Sequence, residues 1–233
     1  HKINLTPETE EFLTALALQC YTNEYIYSLT KKELNSVNTL EKKIKKELLN
    51  GYQPKFLELA ILASYRSLFE SEWGNLIKIN ASNKKLLNRL LIQPTKESEL
   101  ASEISHLKCI SNKTSLKVKE QYEENPYPRW VNTSKASFTL SIPEFVQRMD
   151  FKAHNYYFNE IKSPRILVAG CGTGQHSIRN ATRFKGSRVL AIDLSLSSLG
   201  YAKRKTEELG VGNIEYMQAD ILDLNKLGRK FDI

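Results

Sequence analysis

Three glycines at alternate positions, Gly170, Gly172 and Gly174, form the pattern in this sequence with the clearest chemical meaning. They directly follow the apolar run Ile166–Ala169, and a helical pattern begins just after them. Glycine permits the tight turn and leaves room for a ligand close to the backbone. The start of a helix presents unpaired N–H groups and a partial positive charge to that turn. The pattern therefore predicts a site for the anionic or strongly polar part of a nucleotide-like cofactor.

Two carboxylates stand at the ends of the next two apolar runs. Asp193 follows Val189–Ile192, and Asp220 follows the run that contains Ile214–Met217. We expect Asp193 to accept hydrogen bonds from both hydroxyls of a ribose. Asp220 would accept from an adenine amino group, while the N–H of Ile221 reaches a ring nitrogen. Either aspartate alone could instead cap a helix, but two of them in step with the glycines favour a cofactor site.

The glycine spacing differs from the dinucleotide-binding fingerprint, which needs a small residue where this chain has Gln175. This difference disfavours the hypothesis of a nicotinamide-dependent oxidoreductase. Preferential binding of NAD would favour that hypothesis again. Cys171 is interpreted as a small residue of the turn rather than a nucleophile. His176, in the first turn of the following helix, is a candidate contact to cofactor or substrate.

The elements that must position these residues alternate between strand and helix from residue 165 onwards, which indicates crossovers and a parallel sheet. Before residue 120 the sequence predicts helices only, without a convincing repeat of about 34 residues. An array of degenerate helical-hairpin repeats stays an open alternative for this region. The predicted helices begin at Pro7 behind Thr6 and cover Leu40–Leu49, Lys55–Phe69, Asn83–Ile92, Thr95–Leu107, Thr114–Tyr122 and Glu144–Phe158.

The strand with Gly-x-Gly-x-Gly, the aspartate after the second strand and Ala-Asp-Ile after the third together resemble class I S-adenosylmethionine-dependent methyltransferases. The resemblance covers residues 165–233 and implies S-adenosyl-L-methionine as the cofactor. It places the methionine part at the glycines, the ribose at Asp193 and the adenine at Leu194, Asp220 and Ile221. The implied cofactor-binding residues are thus Gly170, Cys171, Gly172, Gly174, Asp193, Leu194, Asp220 and Ile221. No catalytic residue can be assigned.

The segment Asn125–Trp130 contains two prolines that exclude a regular helix. It is similar to a segment of bacterial methyltransferases that carry an N-terminal helical or tetratricopeptide-like region. We interpret it either as a packed strap between two regions or as one wall of a pocket. Residues in and around it that could close over the cofactor are Tyr122, Tyr127, Arg129 and His154. One departure from the resemblance is Val168, because the family often has an acidic residue at that position.

These patterns predict an α/β fold, a Rossmann-like doubly wound parallel sheet preceded by an all-α N-terminal region. We expect a helical domain over residues 1–120, a linker and lid over 121–160, and the first half of a methyltransferase domain over 161–233. Strand four would open at Phe231–Ile233, beside the first strand. We therefore expect a piece of a longer protein that is inactive alone. Its apolar sheet edge or its helical region would promote self-association or binding of a protein partner.

Composition excludes several other classes of protein. No apolar run approaches the roughly 20 residues that span a bilayer, so no membrane segment is predicted. The net charge of +8 is spread evenly along the chain, which weakens a nucleic-acid reading of the basic run Lys42–Lys46. The three cysteines and four histidines lack metal-ligand spacing. No metal is therefore expected, and a reducing cytoplasm is the simplest location.

The leading hypothesis is an S-adenosylmethionine-dependent methyltransferase whose acceptor is a small molecule or a protein in preference to a nucleic acid. The alternative is a non-catalytic scaffold or interaction protein that still binds S-adenosylmethionine. Because fold alone does not fix a substrate, the acceptor stays open.

Overall fold

The computed structural model describes residues 5–124, 126–133, 135–149 and 160–233. The chain divides into two compact units, one that ends at Thr95 and one that begins at Lys96. The domain boundaries predicted at residues 120 and 160 stay predictions.

The first unit is built from helices with clear local start signals. Thr6 accepts a hydrogen bond from the N–H of Thr9 and so caps the helix that opens at Pro7. Thr30 and Glu33 form a capping box, which starts the next helix well before its predicted beginning at Leu40. The helices are α1 Pro7–Thr22, α2 Lys31–Leu49, α3 Phe56–Ala63 and α4 Lys84–Leu87, with a 3₁₀ turn at Gly74–Leu76 and a π-helical turn at Asn88–Ile92.

The third helix is shorter than the predicted span Lys55–Phe69. It ends at Ala63, and both the N–H and the hydroxyl of Ser64 donate to the carbonyl of Ala60. The buried core of this unit comprises Ala17, Tyr21, Val37, Ile44, Leu48, Leu59, Ala60, Leu62, Ala63, Leu68, Trp73, Ile77, Leu86, Leu87 and Leu90.

The second unit contains a four-stranded parallel sheet. Its strands are β1 Ser105–His106, β2 Arg165–Ala169, β3 Arg188–Asp193 and β4 Ile214–Gln218, in the order β1-β4-β3-β2. Helix α5 Gln93–Ser102 begins three residues before the start of this unit. The remaining elements are α6 Lys113–Glu124, α7 Ile142–Arg148, α8 Gln175–Arg183, α9 Leu196–Glu208 and a 3₁₀ helix at Ile221–Lys226.

The three long strands match the predicted apolar runs, and the α/β fold class is confirmed. Val189–Ile192 is buried throughout, as expected of a strand that lies between two parallel neighbours. Helix α8 connects β2 to β3, and α9 connects β3 to β4. This alternation places the ends of all three strands at one edge of the sheet.

The prediction of helices only before residue 120 is wrong at one place. The predicted helix Thr95–Leu107 ends at Ser102, and β1 pairs in parallel with Met217 and Gln218 of β4. The N–H of Leu107 extends this pairing by donating to the carbonyl of Gln218 at 3.0 Å. A stretch as short and mixed as residues 104–107 has no strong local preference, so pairing with a sheet edge decides its conformation.

Two further predictions concern the helix after Pro143 and the strand at the end of the chain. Helix α7 begins at Ile142, because Ser141 and Glu144 form a capping box, and it ends at Arg148. The rest of the predicted helix Glu144–Phe158 lies mostly outside the described residues. At the other end of the chain, Ile233 accepts from the N–H of Leu167 at 2.9 Å, so these last residues run along the outer edge of β2. That is the position predicted for strand four.

Among the described residues, no helix is both long and apolar enough to cross a membrane.

Candidate functional site

The candidate site lies where β2, β3 and β4 end. Because the strands are parallel, their carboxyl ends meet at one edge, and ligands of open α/β sheets bind outside that edge. The glycine loop (residues 170–174) follows β2, Asp193 closes β3, and Asp220 follows β4. The three sequence motifs are thus brought together by the sheet alone.

The backbone of the glycine loop requires glycine at each of its three glycine positions. The φ angles are +72° at Gly170, +52° at Gly172 and +88° at Gly174, a region that side chains with a Cβ disfavour. The N–H groups of Gly170 and Cys171 both donate to the carbonyl of Ile192 at 2.9 Å. These two bonds hold the start of the loop against the end of β3.

The first and last glycines face different surroundings. A Cβ at Gly170 would meet no heavy atom within 4 Å, so the space beside it is open to a ligand. A Cβ at Gly174 would lie 2.6 Å from the Cβ of Ala202 on α9. The close packing that a dinucleotide fingerprint assigns to a later small residue is therefore made here by Gly174, which leaves Gln175 free to be large. Gln175 is exposed on the first turn of α8.

The start of α8 points its unpaired N–H groups at the glycine loop, because Gly174 is the N-cap residue. His176 lies in this first turn and is exposed. A helix start of this kind favours an anionic or polar ligand group.

The Asp193 carboxylate connects two backbone segments of the site. Its Oδ2 accepts from the N–H of Gly172 at 2.8 Å, and its Oδ1 accepts from the N–H of Ser195 at 3.0 Å. A carboxylate has about four acceptor positions, so these bonds leave capacity on both oxygens. Asp193 can therefore hold the loop and accept two further hydroxyl donors.

Asp220 is buried, and its Oδ1 accepts from the N–H of Leu222 at 3.0 Å. It thus caps the 3₁₀ helix, the role that sequence reasoning kept as an alternative, and its other oxygen remains available for a ligand. Ile221 beside it is exposed. Leu194 is half-buried, and its carbonyl accepts from Nε2 of Gln218 at 2.7 Å.

Cys171 is a buried residue of the loop. Burial raises the pKa of its thiol well above the usual value, and the charge of Asp193 acts in the same direction. The thiol therefore stays protonated, which agrees with its interpretation as a small residue of the turn. Val168, where the family often has an acid, is buried among apolar residues of the sheet core.

The segment between β1 and β2 contacts this site at two points. Ser195, two residues after Asp193, donates its hydroxyl to the carbonyl of Tyr122 near the end of α6, at 2.9 Å. The carbonyl of Tyr127 lies 3.7 Å from the position of a Cβ on Gly172. The side chain of Tyr127 is 73% exposed, and Arg129 is half-buried. His154 lies outside the described residues.

The sequence placed Trp130 in a strap or pocket wall without predicting its contact with the glycine loop, and it did not single out Thr173. Trp130 is buried and donates from Nε1 to the carbonyl of Thr173 at 3.1 Å. Thr173 is the buried residue between the last two glycines. The aromatic residue behind the two prolines was visible as a signal, but nothing local indicates that it packs on a loop 43 residues away.

In the described part of the chain, no group of three His, Cys, Asp or Glu side chains could hold a metal ion.

Comparison with known proteins identifies the domain that carries the site. A family model described as a methyltransferase domain matches residues 166–233. This match confirms the resemblance to class I methyltransferases, with S-adenosyl-L-methionine as the cofactor of such a domain. The N-terminal helices lie outside the match.

Two of the similar curated proteins are methyltransferases. The chain is 42% identical over 74 residues to malonyl-[acyl-carrier protein] O-methyltransferase of Hamiltonella defensa, which is 32% of this chain and 26% of that protein. It is 37% identical over 75 residues to release factor glutamine methyltransferase of Chlorobaculum tepidum, which is 30% of this chain and 26% of that protein.

A longer match is to an uncharacterised protein of Rickettsia prowazekii, with 26% identity over 114 residues, 49% of this chain and 43% of that protein. The chain thus spans less than half the length of these curated relatives. Among solved structures, magnesium protoporphyrin IX methyltransferase from Synechocystis, solved with bound SAH, is 24% identical with a TM-score of 0.33. That alignment covers 50% of this chain and 55% of that one.

Proposed function

We propose, from the match of residues 166–233 to a methyltransferase domain model, that this protein transfers a methyl group from S-adenosyl-L-methionine to an acceptor. The observation that carries the proposal is the meeting of the glycine loop with Asp193 and Asp220 at one sheet edge. The Asp193 carboxylate is already fixed there by the N–H groups of Gly172 and Ser195. A site held in this way needs little rearrangement to accept a ligand.

The residues present fit this cofactor. The open space beside Gly170 admits a ligand close to the backbone, and Asp193 retains acceptor capacity for a ribose. Asp220 and the backbone of Ile221 stand at the neighbouring strand end for the adenine, with Leu194 against the face of the ring. Cys171, Gly172 and Gly174 complete the proposed contacts, and Tyr122, Tyr127, Arg129 and His176 are secondary candidates.

The chemistry asked of the protein is alignment. S-Adenosylmethionine supplies an already activated methyl group, so holding the acceptor atom in line with the methyl–sulfur bond provides most of the rate. A base is required only where the acceptor must lose a proton. The glycine loop and Asp193 would fix the cofactor for this alignment, and no residue of the described chain is assigned as a base.

The acceptor is proposed as a small molecule or a protein. The two named relatives carry different acceptors in their names, a malonyl group on a carrier protein and a glutamine of a release factor. Similar cofactor-binding domains therefore act on unlike acceptors, and we propose neither of these two acceptors for this chain. The even distribution of a net charge of +8 gives no basic stripe for a nucleic acid.

Calorimetric titration with S-adenosylhomocysteine tests the proposal. We expect the 233-residue chain to bind it, and Asp193→Ala to weaken binding by about 1.5–3 kcal/mol, the range for hydrogen bonds to a charged group. Asp193→Asn keeps the shape and one acceptor oxygen, enough for one of the two backbone contacts, so it should lose less than alanine. Glu215→Ala removes an exposed carboxylate of β4 that pairs with Arg229, and it should leave the affinity unchanged. No binding by the wild type at millimolar ligand would refute the proposal.

A second candidate is a non-catalytic scaffold that binds the same cofactor. Val168 favours it, because a buried apolar side chain cannot pair with the cofactor's ammonium group, and another group or a water must do so. Cofactor binding without turnover of any acceptor offered to a longer form of the protein would select this candidate. Transfer of a labelled methyl group would exclude it.

We further propose a cytoplasmic location and self-association. Cys20, Cys109 and Cys171 are free thiols, as in a reducing compartment. Sedimentation of the chain as a concentration-independent monomer would contradict self-association.

A further inference from the structure

The strap, the segment Asn125–Trp130 of which residues 126–130 are described, is tied to the glycine loop by three hydrogen bonds. The indole Nε1 of Trp130 donates to the carbonyl of Thr173 at 3.1 Å and lies 3.2 Å from its hydroxyl oxygen. The hydroxyl of Thr173 in turn donates to the carbonyl of Pro128 at 2.9 Å. Each segment therefore satisfies buried polar groups of the other, and such groups are costly to leave unpaired.

The position of the strap is set independently of the loop by helix α9. Tyr201 is fully buried, donates its hydroxyl to the carbonyl of Trp130, and packs edge-to-face on the indole with ring centres 5.9 Å apart. The ammonium of Lys205 lies 4.9 Å from the indole centre and donates to the carbonyl of Val131 at 2.9 Å. Trp130 is thus a fixed point against which the loop rests.

The loop needs such a support because of its composition. Gly172 and Gly174 give the peptides around Thr173 more conformational freedom in the absence of contacts than other residues would. Asp193 holds the N–H of Gly172 from one side, while Trp130 holds Thr173 from the other. Restriction of the loop before binding reduces the ordering cost that the cofactor must otherwise offset.

We propose that Trp130 is a positioning residue for the cofactor, acting through Thr173 to hold the glycine loop in its binding conformation. The proposal rests on the proposed function, because the ligand of the loop is the cofactor. The strap then supports the cofactor-binding loop and is not only a connection between two regions.

Affinity for S-adenosylhomocysteine in four variants tests this role. We expect Thr173→Val, which loses the hydroxyl contacts to Trp130 and Pro128, and Trp130→Phe, which loses both indole contacts, each to weaken binding about tenfold. The loss in the double variant should be less than the sum of the two, because the Nε1–hydroxyl contact is removed by either change. Thr173→Ser keeps the hydroxyl and should restore affinity to within about threefold of wild type. A purely structural loss of packing would not be rescued by serine.

The chain offers a matched control at Thr182. Its hydroxyl accepts from the N–H of Ala136 at 3.0 Å and donates to the carbonyl of Ile178 at 2.9 Å, so it ties the preceding chain to α8 away from the loop. Thr182→Val should leave the affinity unchanged. Equal affinity in wild type, Thr173→Val and Trp130→Phe, or strictly additive losses, would overturn the proposal.

Hydrogen exchange separates this proposal from the proposed function. In Trp130→Phe, the amides of residues 170–174 should exchange at least about tenfold faster than in the wild type, while those of β3 should not change. If the wild type does not bind S-adenosylhomocysteine, the proposed function fails, and this comparison still decides whether Trp130 holds the loop. Unchanged exchange over residues 170–174 would overturn the proposal.

Discussion

Replacement of Gly174 by alanine should destabilise the second unit far more than the same change at Gly170. Both positions have positive φ, +88° and +72°, which costs an alanine about 1–2 kcal/mol at either site. The lower entropy of the unfolded alanine chain offsets about 0.4–1 kcal/mol of this in both variants. The backbone terms therefore nearly cancel in the comparison.

The difference comes from packing. A Cβ on Gly174 would lie 2.6 Å from the Cβ of Ala202 and 3.1 Å from the hydroxyl of Tyr216, whereas a Cβ on Gly170 would have no neighbour within 4 Å. Overpacking of a filled core costs about 1–3 kcal/mol. We therefore expect Gly174→Ala to be the less stable variant by that amount.

Native-state hydrogen exchange over residues 166–218 measures this free energy for the second unit alone. Ala202→Gly supplies a matched test, because it removes the atom with which the new Cβ collides. In that background Gly174→Ala should lose most of its excess cost. Equal destabilisation by the two glycine variants, within about 0.5 kcal/mol as expected from the backbone alone, would refute the packing argument.

Three further changes address helix α9. Arg204→Met should cost about 3–5 kcal/mol in thermal unfolding, since it removes the buried guanidinium that pairs with the Glu97 carboxylate. Glu97→Gln in the same chain should recover part of the loss. Partial burial would raise the pKa of Glu208, but hydrogen bonds and charges from Lys205 and Arg204 outweigh it and hold this pKa below 4.5. A carboxyl group whose pKa is lowered by folding stabilises the protein at pH values above its unfolded-state pKa, and this stabilisation is lost as the pH falls through its folded-state pKa. Glu208→Gln should therefore flatten the decline in melting temperature below about pH 4.5. Ser195→Ala removes both the cap of α9 and the bond to the end of α6 and should cost about 0.5–2 kcal/mol in urea unfolding; no change in the midpoint would contradict both roles.

The sheet and its cofactor edge could be predicted from the order of residues because their signals are local. Apolar runs of strand length, separated by helical patterns, allow few arrangements other than a parallel sheet. In such a sheet the residues that follow each strand must share one edge, so Gly170, Asp193 and Asp220 were brought together before any distance was known. The sequence did not predict that Gly170 faces open space while Gly174 packs closely against α9, since only the contact with Ala202 shows this difference.

Contacts between segments far apart in the chain decided the rest. Ser105 and His106 form a strand because the edge of β4 offers backbone hydrogen-bond partners. The residues next to them in the sequence do not predict this pairing. Trp130 rests on Thr173 because α9 provides a buried tyrosine beneath it. Periodicity and turn chemistry act over a few residues and leave a trace in the order of side chains. Burial and hydrogen bonding between distant segments depend on which surfaces the folded chain brings together, and only the tertiary structure specifies those surfaces.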